Sequence, residues 1–108
     1  MGKTEYRCLV DAALEVIGAK WKPLIIHQLC RRPRRFRELE RAVPFITRKM
    51  LVQHLRELEA HGIVHRKIIP AKPVLVEYSI TDYGTTLYPV LQQLSDWGRQ
   101  HLERDGEG

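Results

Sequence analysis

Residues 36–83 read FRELERAVPFITRKMLVQHLRELEAHGIVHRKIIPAKPVLVEYSITDY, and the order of patterns inside that stretch decides the fold. Phe36, Leu39 and Val43 recur at helical spacing and predict a short helix that Pro44 closes. Thr47 is a favourable N-cap for a second, longer helix, in which Met50 or Leu51, then Leu55 and Leu58, form the buried stripe. His61-Gly62 ends that helix. The β-rich runs 63–69 and 74–80 are joined by Pro70-Ala71-Lys72-Pro73, which predicts a hairpin with a four-residue tip. Helix, tight turn, helix and then β-ribbon is an order that can lay one helix in a DNA groove while a loop reaches sideways.

Working outward, Leu9, Ala12, Ala13, Val16 and Ile17 predict a helix over 9–17, with Gly18 where a C-cap would sit. Trp21, Leu24, Ile25 and Leu29 mark another, with Pro23 tolerated in its first turn. Arg31-Arg32-Pro33-Arg34-Arg35 breaks it and makes a charged connection. On the other side, Thr81-Asp82 opens a helical segment over 82–102, and Pro89 inside it predicts a kink or break nearby. Its apolar residues form two stripes: Leu87, Val90, Leu94 and Trp97, and Tyr88, Leu91 and Leu102. One stripe suffices to dock on the domain, and a second copy of the chain is the simplest cover for the other. The tail 103–108 is expected to fray.

The fold class is therefore α+β and mainly helical: a winged helix-turn-helix in one domain, 1–108. The helix-turn-helix occupies 36–61, the two-stranded wing 63–80, and extra N- and C-terminal helices at 9–17 and 82–102 serve dimerisation.

Composition agrees with one soluble domain: 108 residues, 44% hydrophobic and 29% charged. No apolar run approaches a membrane span, and MGKTEYRC at the start lacks the apolar core of a signal peptide, so the expected location is the cytoplasm. Two cysteines, Cys8 and Cys30, fit a reducing compartment and not a disulfide framework. The formal charge of +5 is unevenly spread. Residues 31–72 carry twelve Lys/Arg against four Glu, whereas residues 73–108 carry two Arg against six acids. The positive charge thus coincides with the helix-turn-helix, as binding to a polyanion such as double-stranded DNA requires. The plain alternative is a solvated basic face without a partner.

If Leu51, Leu55 and Leu58 face inward, Arg48, Lys49, Val52, Gln53 and Arg56 face outward, with Thr47 at the helix start. Arg and Lys can pair with guanine, Gln with adenine, and a Val methyl with a thymine methyl. Glu57 and Glu59 fall only in the second half of the helix, away from the proposed groove end. Arg34 and Arg35 would serve phosphates beside the helix-turn-helix, and Lys67 and Lys72 on the wing the flanking backbone. An ordinary exposed helix face and a plain charged turn are the bland readings of the same residues.

Cys8 lies beside Arg7 and just ahead of the first helix. Cations and helix N-termini favour the thiolate form of a cysteine, so Cys8 is a candidate redox or alkylation sensor, the alternative being a small buried apolar residue. Cys30 reads as buried filler. His61 and His65 are separated by a helix-breaking Gly62, and His27 with Cys30 lacks further converging ligands, so no metal or cofactor is expected. No Gly-rich phosphate loop, nucleophile elbow or paired carboxylate occurs, so catalysis has no visible home. Two rivals to DNA binding are a protein-docking module whose basic face meets an acidic partner, and a thiol-dependent enzyme built on Cys8.

Cys8, LEVIGAKWKPLII (14–26), RRFRELERAVPFITRKMLVQHLRELEAHGIVHR (34–66), VEYSITDYG (76–84) and PVLQQLSDWG (89–98) together resemble the HxlR-type winged helix-turn-helix transcription regulators, which are MarR-like. The resemblance runs from Cys8 to His101. It implies a homodimeric DNA-binding regulator with a recognition helix at 47–61 and a wing at 67–74. It also implies a dimer interface on the outer helices, where Leu9, Leu91, Leu94 and Trp97 fall. Some members of that family use a cysteine at the position of Cys8 to sense oxidants or electrophiles. Two residues depart from the family pattern: Leu9, where Pro often follows the cysteine, and Phe45, where Gly is frequent in the turn before the recognition helix. A small-molecule effector is left unidentified.

Overall fold

The computed structural model describes residues 8–18 and 20–107. Helix α1 spans Leu9–Ile17 and α2 Lys22–Arg31, followed by strand β1 at Arg34–Arg35. Then come α3 (Phe36–Ala42), α4 (Arg48–Ala60), strands β2 (Val64–Ile69) and β3 (Leu75–Ile80), α5 (Asp82–Thr85) and α6 (Tyr88–Glu107). This is a winged helix-turn-helix: α3 and α4 are the helix pair, and the β2–β3 ribbon is the wing.

The core forms where α2, α3 and α4 meet the base of the ribbon. Ile25, Ile26 and Leu29 of α2 pack with Leu39 and Val43 from the α3 side, with Leu51, Leu55 and Leu58 of α4, and with Ile63, Val64 and Tyr78. The open choice between Met50 and Leu51 is settled for Leu51, which is buried while Met50 is exposed. Thr47 caps α4 as expected, its Oγ1 accepting from the Met50 amide at 3.1 Å. Gly62 follows the helix with φ 77°, the left-handed conformation that suits glycine. Thr81 then ties the ribbon to the helices: its Oγ1 donates to the Gly62 carbonyl at 2.6 Å and accepts from the Gly84 amide at 2.8 Å. Gly84 packs so closely on the Ile63 carbonyl and the Ile80 side chain that a Cβ there would collide.

Several expectations are corrected. The wing hairpin belongs to a three-stranded antiparallel sheet of order β1-β3-β2, because Arg34 and Arg35 pair with Tyr78 and Glu77 instead of forming a loose connection. Ile69 pairs with Leu75, so the tip spans 70–74 and includes Val74. The break expected near Pro89 is present, at 86–87 between α5 and α6, and it leaves Pro89 as the second residue of α6, where it costs no helical hydrogen bond. Residues 103–107 continue the helix, so the expected fraying is absent over them.

Neither of the two predicted stripes docks intact. Leu87 and Leu91 pack on the core, one from each stripe; Leu87 immediately precedes α6, and its carbonyl accepts from the Leu91 amide at 2.9 Å. Tyr88, Val90, Leu94, Trp97 and Leu102 are left exposed. Leu91 is therefore partly spent on its own domain. Apolar residues are exposed on α1 as well as on α6: in α1 Ile17 alone is buried, and Leu9, Val10 and Leu14 are exposed. Among the described residues no helix is long and apolar enough to cross a membrane.

Candidate nucleic-acid interface

The exposed side of α4 follows from the buried one. With Leu51, Leu55 and Leu58 inward, Lys49, Gln53 and Arg56 recur at i, i+4 and i+7 on the far face and, with Val52, line one shallow depression. Two cations, an amide and a branched apolar group are thereby presented together, a set able to contact both phosphates and base edges. Glu57 stands at the edge of this face: its Oε2 accepts from Gln53 Nε2 at 3.3 Å, while its Oε1 lies 2.7 Å from Lys22 Nζ. Those two hydrogen bonds, the Lys22 bond first, hold the Glu57 carboxyl below the ordinary glutamate range. Gln53 is thus oriented through Glu57 by a lysine buried in the core.

Arg48 behaves differently from its neighbours. Its Nε and Nη2 donate to the two carboxylate oxygens of Glu40 at 2.9 and 3.2 Å, and its guanidinium lies 5.5 Å from the Phe36 ring centre. This bidentate, stacked arrangement pins the start of α4 to α3. The Arg48 hydrogen bond is also what draws the Glu40 carboxyl below its usual range. Arg48 therefore links the start of α4 to α3, with its Nε and Nη2 engaged by Glu40.

Arg34 and Arg35 are similarly divided. Arg34 is half-buried, and its Nε is enclosed without a hydrogen-bond partner among the described residues. Arg35 is exposed; its backbone N–H donates to Glu38 Oε1 at 2.9 Å, capping α3. An open cleft of about 610 Å³ lies between α3 and the start of β3, with Arg35, Arg37, Glu38, Arg41 and Arg48 on one part of its lining and Phe36 and the apolar run 73–76 on the rest. Arg37 and Arg41 were missed by the sequence reading, although the signal was present. With Phe36, Leu39 and Val43 inward, positions 37 and 41 must point outward together. Lys67 and Lys72 are both exposed on the wing.

Cys8 is exposed and occupies the N-cap position of α1, where its carbonyl accepts from the Asp11 amide at 3.0 Å. Arg7, invoked beside it, lies outside the described residues. Cys30 is half-buried, and burial pushes its thiol pKa up, which disfavours the thiolate.

Comparison with known proteins agrees with this geometry. The HxlR-like helix-turn-helix family model matches residues 16–106. The HTH-type transcriptional regulator YkvN of Bacillus subtilis strain 168 is 46% identical over 101 residues, covering 94% of this chain and 86% of YkvN. The structure of the redox regulator HypR in its reduced form superposes with TM-score 0.86 at 40% identity, over 94% of this chain and all of HypR. That of diamide-treated YodB from B. subtilis superposes with TM-score 0.73 at 39% identity, over 89% and 96% of the two chains. A winged helix-turn-helix with a cationic outer face on its second helix, matched along nearly its whole length, belongs to the HxlR-like helix-turn-helix family of transcriptional regulators.

Proposed function

We propose that this chain is a cytoplasmic, homodimeric, sequence-specific repressor that binds an inverted-repeat operator. The observation that carries the reading is the single face of α4 that brings Lys49, Val52, Gln53 and Arg56 together beside a capped helix N-terminus. In this reading Lys49, Gln53 and Arg56 enter the major groove with Thr47 at the groove wall, and Arg48 joins them on release from Glu40. Arg34 and Arg35 lie against the adjoining phosphates, and Lys67 and Lys72 hold the flanking backbone. Dimerisation is supported by the apolar surface left on the outer helices, where Leu9 is 87%, Trp97 66% and Leu94 56% exposed. Two-fold symmetry then spaces the half-sites about one or two helical turns apart. In this reading repression follows from occlusion of the promoter by the bound dimer.

The test is binding to a labelled duplex from the region upstream of its own coding sequence, against a scrambled duplex, across a salt series. Preference for the native duplex at physiological salt, with a two-fold-symmetric footprint, is the expected result. Equal and steeply salt-dependent binding to both sends the search to another operator or to an acidic protein partner. On a preferred duplex, Gln53→Ala is expected to cost about tenfold in affinity and to relax discrimination at one base position. Lys72→Ala is expected to weaken native and scrambled duplexes equally and to lower the salt slope by about one.

Thiol control is the second part of the reading. It rests on the exposed Cys8 thiol at the head of α1 and on relatives described as redox regulator and as diamide-treated. Cys8 lies on an outer helix, so its oxidation would act by changing the separation of the two recognition helices in the dimer. Treatment with diamide is expected to lower operator affinity in the wild type and to leave Cys8→Ser unchanged, as read by fluorescence anisotropy. Equal loss in both proteins would remove Cys8 from the account.

A further inference from the structure

The turn between α3 and α4 holds one residue that the fold itself does not need. Phe45 has φ 72°, a left-handed conformation in which its Cβ crowds the neighbouring carbonyl, and its side chain is 92% exposed. The flanking residues explain the backbone. Val43 is buried and Ile46 packs against the core, so the two anchor the turn and force position 45 outward and into positive φ. Glycine would meet that demand without strain. The ring is thus exposed, unburied against its own domain and carried on a strained backbone, which is the combination that marks a residue kept for contact with something else.

Its place says what. Phe45 is two residues ahead of Thr47, the N-cap of α4, so its Cα lies within roughly 7 Å of the helix start. The cations nearest in sequence are Arg41, Arg48 and Lys49. An exposed aromatic ring three or four residues along the chain from three cations suits a polyanion that also offers apolar facets better than a purely apolar protein surface. We propose that Phe45 is a DNA-contacting residue that places its ring against the apolar face of a nucleotide at the groove wall, either a thymine methyl or a deoxyribose. This rests on the operator-binding reading above. It makes the turn, and not only the helix, part of the recognition surface.

The probe is a duplex enriched from a random-sequence pool by the immobilised wild-type chain, compared with its scrambled counterpart. Phe45→Gly and Phe45→Ala are measured together: both remove the ring, and only Gly relieves the backbone. Both are expected to bind the selected duplex about tenfold more weakly. Phe45→Gly is expected to melt no lower than the wild type, since no buried contact is lost and strain is relieved. Repeating the titration with deoxyuridine in place of thymidine separates the two facets. A penalty that vanishes puts the ring on a methyl, and one that persists puts it on a sugar. If the wild type discriminates between duplexes and both variants bind as it does, the Phe45 contact is wrong and the operator reading stands. Loss in one variant alone would assign the effect to turn geometry and also overturn the contact. Failure of the wild type to enrich any sequence removes both.

Discussion

Truncating Leu51 to Ala is expected to cost about 3 kcal/mol of folding stability, whereas truncating the adjacent Met50 to Ala costs under about 1 kcal/mol. The two side chains are consecutive and similar in volume, yet one is 0% and the other 38% exposed. Leu51 belongs to the same buried core cluster as Ile25, Ile26 and Leu39, and a close-packed interior refills a lost side chain only in part. For a domain that small, the Leu51→Ala loss corresponds to a drop in Tm on the order of 15 °C. Thermal melts at one fixed protein concentration, which removes any contribution from subunit association, are the measurement. Comparable losses at the two positions would mean that α4 is rotated from the orientation described here. Lys49, Gln53 and Arg56 would then no longer share the outer face.

That rotation was nearly legible in the sequence, and where it was not shows what periodicity can carry. The period of Leu55 and Leu58 fixed the buried direction of α4, and Thr47 fixed its start, because a cap and a stripe are local signals. His54 lies on the same buried side, between Leu51 and Leu58, but a polar residue carries no weight in an apolar pattern. Strand β1 could not be read at all: two arginines have no alternation, and they become a strand only because Tyr78 and Glu77 offer backbone partners 44 and 42 positions further on. The docking of α6 was misjudged for a related reason. A helix with apolar residues on several faces does not say which face its own domain uses, and the choice falls on Leu87 and Leu91 because the chain is still leaving the core there. Within the candidate site, the charges were legible and their pairing was not. Arg48 and Glu40 are eight apart across a turn, beyond the reach of any helical spacing rule. The departure at Phe45 was visible as a residue type, but its positive φ is a consequence of the buried side chains on either side.

Replacing Glu57 with Gln is expected to destabilise the domain by about 2 kcal/mol near neutral pH, and to flatten its acid-side pH dependence. Lys22 is a buried lysine whose ammonium lies 2.7 Å from Glu57 Oε1, and the amide of Gln is nearly the same shape without the charge. Breaking a fully buried pair costs about 3–5 kcal/mol; here the Glu57 side chain is 41% exposed and solvent screens part of the interaction, hence the smaller figure. The groups facing Glu57 are Lys22, Gln53 and His54, the last with Nδ1 at 3.7 Å, too far for a hydrogen bond. The Glu57 carboxyl is held below its ordinary range in the folded state, so the unfolded chain binds its proton first as pH falls. The stabilisation is therefore fully present above the ordinary glutamate pKa and is lost as pH drops through the lower folded value. Urea unfolding of the wild type between roughly pH 6 and pH 3 should lose this increment, while Glu57→Gln, having no proton to take up there, should lose that much less. Parallel curves for the two proteins would show that Lys22 is neutralised elsewhere. Gln53 would share the consequence, because its amide is steadied by the same carboxylate that Lys22 holds in place.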